Sequence, residues 1–355
     1  MKPESTHPYP IGKLPQTDLV DLLTHKLNIP DPRVIFGPGL GRDAAVIDFG
    51  APALQPDLDQ RSDRYLVVKT DPITFATDEI GWYAVNVNAN DIACLGATPR
   101  WFIATLLLPE GKTDRALVDR IFEQLHTAGH EIGVSLVGGH TEITHDLARP
   151  IVVGAMLGEV AADRLVRSNG ARPGDTLILT KGICVEGTAI LAQEMGEKLR
   201  DVVDPILLKR AAQFLHTPGI SVVHDAAIAT QAGEVHAMHD PTEGGIATGI
   251  HELTQAAGVG AIIEASTLPV YPETRAICDA LGLDPLGLIA SGSLLAAVAP
   301  DHADTIVDAL RKQGIAAAVI GHVCKTPGVM VHNGAEHYPL PIFTRDEVAR
   351  LFESL

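Results

Sequence analysis

The run Asp240–Gly245 reads Asp-Pro-Thr-Glu-Gly-Gly and stands directly ahead of an apolar helical pattern. Glycines let a backbone approach a ligand closely, the first N–H groups of a helix attract anions, and carboxylates can hold the Mg2+ that accompanies a nucleotide. The run is therefore a candidate oxyanion or metal-phosphate site. It is also an ordinary helix start, because Asp and Thr are common N-caps. The residues alone leave both interpretations open.

A second candidate is the glycine-rich stretch Gly37–Ala45, which contains Gly39 and Gly41 and reaches Asp43 just before a predicted strand. Such loops can cradle phosphate through their backbone N–H groups. This one lacks the Lys-Ser/Thr ending of a Walker loop, and no strand plainly precedes it as a dinucleotide fingerprint requires. By itself the stretch indicates phosphate binding only weakly.

Asp71 follows the predicted strand Tyr65–Thr70 and precedes Pro72. Side chains at the C-terminal end of a strand commonly project into a ligand crevice. An Asp before Pro is also typical of a simple turn. Asp71 is thus a candidate ligand of a metal or phosphate, with a turn as the alternative.

Three asparagines and an aspartate fall inside the predicted helix Ile80–Leu95, at Asn86, Asn88, Asn90 and Asp91. Asn and Asp are poor in helix interiors, because their side chains compete for backbone hydrogen bonds. Their concentration here indicates contact with a ligand, a metal or another subunit, or else a buried hydrogen-bonded network.

The predicted strand Ser135–Gly138 runs into Gly138-Gly139-His140-Thr141-Glu142. Paired glycines predict a tight turn, which would expose His140 and Glu142 to a phosphate or a metal. The alternative is a glycine turn with incidental polar residues.

Composition excludes several other classes of function. Lys and Arg number 27 against 44 Asp and Glu, and the net charge of -17 repels nucleic acids and anionic membranes. No apolar stretch reaches membrane-spanning length and the N-terminus does not resemble a signal peptide, so we expect a soluble, cytoplasmic protein. The four cysteines show no metal-binding spacing and predict buried thiols. Since no Gly-x-Ser-x-Gly elbow occurs, acyl-enzyme chemistry is not expected.

The predicted elements divide between two domains that must position these motifs. A chain of 355 residues with 46% hydrophobic residues can bury two cores. Strands and helices in the first half predict an α+β domain, and the turn-rich stretch Ser168–Asp175 precedes a second, α/β domain. We expect an N-terminal tail and helix over residues 1–33, a first domain over 34–167, a second over 168–340 and a C-terminal helix over 341–355.

Taken in chain order, the motifs resemble those of the aminoimidazole ribonucleotide (AIR) synthase superfamily, which includes hydrogenase-maturation carbamoyl dehydratases and thiamine-monophosphate kinases. The resemblance covers nearly the whole chain. The residues that carry it are Gly41–Ile47, Thr70 and Asp71, Asn90–Ala93 with Gly96, Ala97 and Pro99, Gly138–Glu142, Gly174 and Asp175, and Asp240–Gly245. Ala171–Asp175 and Leu281–Leu286 are most similar to segments of the hydrogenase-maturation dehydratases.

The resemblance implies a two-domain α+β and α/β fold, with an AIR-synthase-like N-terminal domain that forms half of a barrel shared by a homodimer. It also implies ATP and Mg2+ in a cleft between the domains or across the dimer. Implied metal ligands are Asp43, Asp71, Asp91, Glu142 and Asp240. Implied nucleotide-binding residues are Gly39, Gly41, Asp43, Asp71, Asp91, Gly138, Gly139, Asp240, Glu243 and Gly244. Asn90 and His140 would orient or polarise the transferring group, and Asp240 with Glu243 would help bind the substrate or a second metal.

Two departures separate the chain from the hydrogenase-maturation dehydratases. It ends Ala349–Leu355 without their Pro-Arg-x-Cys tail, whose cysteine carries the carbamoyl group, and Glu243 stands where they typically have Arg. The resemblance therefore implies ATP- and Mg2+-dependent phosphoryl transfer to, or activation of, an oxygen of a small-molecule amide or acid. Two alternatives stay open: a non-catalytic nucleotide-binding assembly or hydrogenase-type maturation factor, and a thiamine-monophosphate kinase.

Overall fold

The computed structural model describes residues 31–37, 44–49, 63–74 and 78–353. The predicted N-terminal helix and the middle of the glycine-rich stretch, with Gly39, Gly41 and Asp43, lie outside the described residues.

The first domain is built on a six-stranded sheet with the strand order β1-β2-β3-β6-β4-β5. Its elements are β1 (Val34–Phe36), β2 (Ala45–Ile47), β3 (Arg64–Ile73), α1 (Ile80–Cys94), β4 (Thr98–Pro109), α2 (Arg115–Glu131), β5 (Ser135–Thr144) and β6 (Ile151–Ala161). Neighbouring strands are antiparallel except for β4 and β5, which run parallel. Since β5 is last in the strand order, it forms one edge of the sheet.

Helix α1 is the central element of the molecule, and it confirms the helix predicted over Ile80–Leu95. All of its residues except Val87 are buried, because it packs on the sheet and α2 on one side and on the second domain on the other. Gly81 permits the close approach of α2, since a Cβ there would lie 2.6 Å from the Ile121 carbonyl oxygen. A helix so enclosed can bury polar side chains only if they find hydrogen-bond partners.

The predicted turn at Gly138 and Gly139 is wrong, because β5 continues through both glycines to Thr144. Gly139 has φ +154°, and a Cβ there would collide with the carbonyl oxygen of Ala104 on β4. The glycine thus serves a close approach of two strands. Strand β3 likewise continues past its predicted end, so Asp71 lies within the ladder opposite Gly154.

The second domain is built on a seven-stranded sheet with the strand order β13-β12-β9-β11-β7-β10-β8. Its strands are β7 (Thr176–Thr180), β8 (Val235–His239), β9 (Gly260–Glu264), β10 (Leu295–Val298), β11 (Ala317–Cys324), β12 (Gly328–Asn333) and β13 (Glu336–Pro339). Its α-helices are α3 (Val185–Glu194), α4 (Gly196–Leu199), α5 (Pro205–Ala211), α6 (Val223–Ala232), α7 (Gly245–Ala257), α8 (Pro272–Leu281), α9 (Ala303–Lys312) and α10 (Glu347–Glu353). The sequence pattern did not predict β8, whose end carries the run Asp240–Gly245 into α7.

The two domains share hydrophobic cores. Val185, Ala189 and Ile220 of the second domain belong to the core of the first, while Cys94 of α1 packs into a cluster with α6, α9 and β10. All four cysteines are free, and three of them are buried, as predicted for those three. No helix in the described part of the chain is both long and apolar enough to span a membrane.

Candidate functional site

Two of the predicted metal ligands meet beside a lysine in the first domain. The ammonium of Lys69 on β3 lies 2.6 Å from Oδ2 of Asp91 on α1 and 3.4 Å from Oδ2 of Asp71. The Asp91 side chain is 9% exposed and that of Asp71 is 38% exposed, so the group opens toward solvent on the Asp71 side. The geometry shows that these two carboxylates can hold a cation between them. Sequence reasoning missed Lys69, although its place two residues before Asp71 puts both side chains on one face of β3.

Within residues 31–37, 44–49, 63–74 and 78–353, no three His, Cys, Asp or Glu side chains are grouped to hold a metal ion. Asp43 falls in one of the gaps between these ranges. Asp71 and Asp91 nevertheless supply the carboxylate oxygens that Mg2+ prefers, and Mg2+ usually takes one or two carboxylates together with waters and phosphates. The donor set therefore fits this ion.

The asparagines of α1 form a buried hydrogen-bonded network. Asn90 is fully buried, where its Nδ2 donates to the Ile220 carbonyl oxygen at 2.8 Å and its Oδ1 accepts from the Val222 N–H at 2.8 Å. Asn88 Nδ2 donates to the Asp71 carbonyl oxygen at 3.2 Å. Asn90 thus fastens α1 to the second domain, and the described structure gives its amide no exposed face toward a substrate.

His140 and Glu142 lie on β5, away from the Lys69 group. Their side chains are 67% and 57% exposed, and His140 Nε2 lies 3.3 Å from Glu142 Oε2. Asp71, Gly154, Ala104 and Gly139 follow one another in a single row across β3, β6, β4 and β5. Three strand spacings separate the ends of this row, about 14 Å. One copy of the chain therefore does not bring Gly138–Glu142 into contact with Asp71.

In the second domain, the run Asp240–Gly245 forms a turn from β8 into α7. Asp240 is 2% exposed, and its Oδ1 accepts a hydrogen bond from Cys94 Sγ at 3.5 Å. Gly244 and Gly245 have φ of +77° and +67°, a left-handed conformation that disfavours other residues. A Cβ on Gly245 would also lie 2.5 Å from the Leu286 carbonyl oxygen. The paired glycines are required by this turn.

The N–H group of Gly244, predicted to face a phosphate, donates to Oδ2 of Asp346 at 2.8 Å. The other carboxylate oxygen of Asp346 accepts from the Val348 N–H at 2.8 Å, so one side chain caps both α7 and α10. Burial raises the pKa of Asp346 to about 6; its two backbone hydrogen bonds oppose this rise, and the charges of Glu243 and Glu347 add to it. The N–H of Gly244 at the start of α7 is thus occupied by the protein's own carboxylate.

Glu186 is a further candidate, which the sequence analysis did not identify. It stands in the first turn of α3, is 7% exposed, and its Oε2 has no hydrogen-bond partner among the described residues. Burial raises its pKa from 4.5 to about 7; hydrogen bonds from Ser291 oppose this rise, and the charges of Glu243 and Asp346 add to it. A carboxyl group with such a pKa can donate or accept a proton near neutral pH. The signal in the sequence was a lone acidic residue within the apolar run Ile183–Ala189.

Glu186 lies where the two domains meet. Burial, and then the charges of Glu186 and Glu79, raise the pKa of Tyr83 on α1 well above its ordinary value. The neighbouring thiol of Cys184 donates to the Pro285 carbonyl oxygen at 2.8 Å, and burial raises its pKa as well. That thiol is held in its protonated, weakly nucleophilic form.

Family models match both halves of the chain. The N-terminal domain of AIR synthase related proteins matches residues 41–160, and their C-terminal domain matches residues 172–332. Carbamoyl dehydratase HypE of Rhizobium leguminosarum bv. viciae is 35% identical over 268 residues, which are 74% of this chain and 72% of that protein.

Solved structures share the fold. The hydrogenase maturation protein HypE in complex with ATP superposes with a TM-score of 0.69 at 24% identity, covering 92% of this chain and 94% of that one. ThiL complexed with AMPPCP and TMP gives a TM-score of 0.68 at 20% identity, covering 89% and 92%. Both confirm the predicted two-domain fold. The chain belongs to the AIR synthase related family, near its hydrogenase-maturation branch.

Proposed function

We propose that this protein binds ATP with Mg2+ and uses it to activate the oxygen of a small-molecule amide. The observation that carries the proposal is the Lys69 ammonium held between the carboxylates of Asp71 and Asp91. A chain with a net charge of -17 needs cations wherever it binds a polyphosphate, and this group can supply one directly and hold another. The relatives support the proposal, since one is a carbamoyl dehydratase and another was solved with ATP.

In this proposal Asp71 and Asp91 hold Mg2+, together with Asp43 of the glycine-rich stretch. When bound, Mg2+ neutralises charge on the polyphosphate, so that a phosphoryl group can pass to another oxygen. Lys69 then offers its ammonium to phosphate oxygens. Phosphorylation turns the oxygen of an amide, a poor leaving group, into a good one. Asn90 joins α1 to the second domain. It therefore holds the neighbouring Asp91 in a fixed position relative to the part of the site that binds the acceptor.

We further propose that the protein forms a homodimer through the β4–β5 end of the first sheet. Val137 and Ile143 on the edge strand β5 are 55% and 54% exposed, and Trp101 and Ile103 on β4 are 37% and 40% exposed. An exposed apolar edge of this kind is a site for pairing with another chain. Pairing there would place His140 at the joint between two copies, where it can act only in the dimer.

A replacement of Val137 tests the dimer. Light scattering on the purified protein should give twice the mass of one chain, and Val137→Glu should give that of a single chain. Val319→Glu is a matched control, because Val319 is a similarly exposed valine (39%) on β11 of the second domain. A dimer that survives Val137→Glu would contradict this interface.

Release of ADP tests the reaction itself. With ATP, Mg2+ and a panel of small amides and acids, we expect ADP release that depends on an amide and is lost in Asp71→Ala. Tight nucleotide binding with no turnover across the panel would instead favour the non-catalytic assembly or maturation factor. Phosphorylation of thiamine monophosphate would favour the kinase alternative, and a single assay with that substrate decides it.

A further inference from the structure

Three segments of the second domain enclose the start of α3. The N–H of Glu186 donates to the Ser291 carbonyl oxygen at 3.2 Å, and that of Gly187 donates to the Ile289 carbonyl oxygen at 3.1 Å. The same loop is tied to the α7 turn, because the Ala290 N–H donates to the Thr242 carbonyl oxygen at 3.2 Å. Main-chain hydrogen bonds therefore fix the backbone of Glu186. A functional side chain needs such a rigid backbone if it is to be placed precisely.

Among the described residues, one oxygen of the Glu186 carboxyl group has no hydrogen-bond partner, although Ser291 hydrogen-bonds to the group. It is more than nine-tenths buried, and no donor in the described part of the chain reaches its Oε2. A buried polar oxygen without a partner carries a desolvation cost that no hydrogen bond offsets. A ligand that brings a donor to this oxygen recovers that cost, whereas a ligand that brings only acceptor oxygens does not.

The charges around Glu186 disfavour an anionic ligand. The negative charges of Glu243 in the α7 turn and of Asp346 before α10 both raise the pKa of Glu186, and the charge of Glu186 in turn raises the pKa of Tyr83 on α1. Asp346 already occupies the N–H of Gly244, the group best able to bind an anion there. A carboxylate or phosphate ligand would add a further negative charge to this acidic group.

Lys181, a buried lysine of the second domain, contacts Ser221 and Asp225. Lys181 Nζ donates to the Ser221 carbonyl oxygen at 2.5 Å and lies 3.3 Å from Asp225 Oδ1. Removing Lys181 from this pair would leave Asp225 buried without its counter-charge, which is strongly unfavourable. Lys181 is therefore not available to neutralise an anionic ligand beside Glu186.

We propose that Glu186 is the residue that binds an N–H group of the acceptor and takes its proton, so that the second domain selects a primary amide over a carboxylic or phosphoric acid. The proton-transfer step rests on the proposed function. Once the amide oxygen carries a phosphoryl group from ATP, the nitrogen is a positively charged iminium. Its N–H bond breaks, the proton passes to Oε2, and the electron pair stays on nitrogen to leave a neutral imine, while the phosphoryl group keeps its negative charge. The carboxylate becomes a carboxylic acid, so atoms and charge balance.

The claim that Glu186 binds an N–H group can be tested without ATP, with three small molecules of nearly the same shape. The affinities of acetamidinium, acetamide and acetate are measured by calorimetry or ligand-observed NMR. At pH 8 we expect acetamidinium to bind more tightly than acetate by about tenfold or more, the ratio for one charge-assisted hydrogen bond. The preference should disappear in Glu186→Gln. It should persist in Glu197→Gln, a control because Glu197 is an exposed glutamate on the adjacent α4.

A second measurement, the pH dependence of acetamidinium binding, uses the unaltered protein and so does not require a variant to fold. In the unaltered protein, the affinity for acetamidinium should fall about tenfold from pH 8 to pH 6, as the Glu186 carboxylate becomes protonated. Equal binding of acetate and acetamidinium, a preference that survives Glu186→Gln, or no binding of acetamidinium would each overturn the proposal. If the preference is found but Mg2+ and ATP fail to stabilise the protein, the proposed function fails while the assignment of Glu186 as an N–H-binding group stands.

Discussion

Replacing Glu186 by Gln should stabilise the protein at pH 8 more than at pH 5. Burial raises the pKa of this carboxyl group from 4.5 in the unfolded chain to about 7 in the folded protein. Between these two values the unfolded chain has released a proton that the folded protein still holds. The carboxyl group therefore makes the protein less stable as the pH rises from about 4.5 to about 7, and above that range the loss stays constant.

The magnitude follows from the two pKa values. At about 1.4 kcal/mol for each pKa unit, a rise from 4.5 to about 7 corresponds to about 3 kcal/mol of stability lost at pH 8. Part of this loss is already present at pH 5, because the unfolded carboxyl group is mostly ionised there. Gln keeps the shape of the side chain but cannot ionise. The free energy of unfolding gained by Glu186→Gln should thus be about 2 kcal/mol larger at pH 8 than at pH 5.

Urea denaturation at pH 5, 6, 7 and 8 measures this difference, with each variant compared with the unaltered protein at the same pH. Glu197→Gln is the matched control, since its side chain is 91% exposed and the exchange should change stability equally at each pH. The reasoning is refuted if Glu186→Gln changes stability by the same amount at pH 5 and pH 8, or if it is the less stable protein at pH 8.

Two further predictions concern the frame of the site. Gly139→Ala should destabilise the protein by several kcal/mol, because the added Cβ collides with the carbonyl oxygen of Ala104, whereas Gly138→Ala has open space and should change the melting temperature little; equal effects would contradict the close approach of β4 and β5. Asn90→Ala should cost about 2–3 kcal/mol in chemical denaturation, since it orphans the buried Val222 N–H and weakens the joint between the domains. A change below about 0.5 kcal/mol would contradict that role.

Local periodicity was sufficient to predict many elements. The helix predicted over Ile80–Leu95 is observed over Ile80–Cys94, and the strand predicted over Tyr65–Thr70 lies within the observed strand Arg64–Ile73. Apolar spacing reports which side of a segment is buried, and that decides its conformation. The order of the motifs then identified the family, because an ordered set is far more specific than any one motif.

The site was less predictable, because its contacts join residues that are distant in the chain. Paired glycines have the same letters in a turn as in a strand pressed against its neighbour, so Gly138 and Gly139 were misassigned. The resemblance implied that Gly244 binds the nucleotide; in the structure its N–H donates to the Asp346 carboxylate, and no local pattern links these two residues. Glu186 stood in no recognised motif, and its importance follows only from its burial.

Binding of ATP tests the central claim most directly. Calorimetric titration with ATP, in the presence and absence of Mg2+, compares the unaltered protein with Asp91→Asn and with Asp119→Asn, whose exposed carboxylate on α2 pairs with Arg115. We predict Mg2+-dependent binding that persists in Asp119→Asn and is weakened at least about tenfold in Asp91→Asn, as expected for the loss of a metal-binding carboxylate. Binding that does not depend on Mg2+, or that is equal in Asp91→Asn and Asp119→Asn, would contradict the assignment of this site.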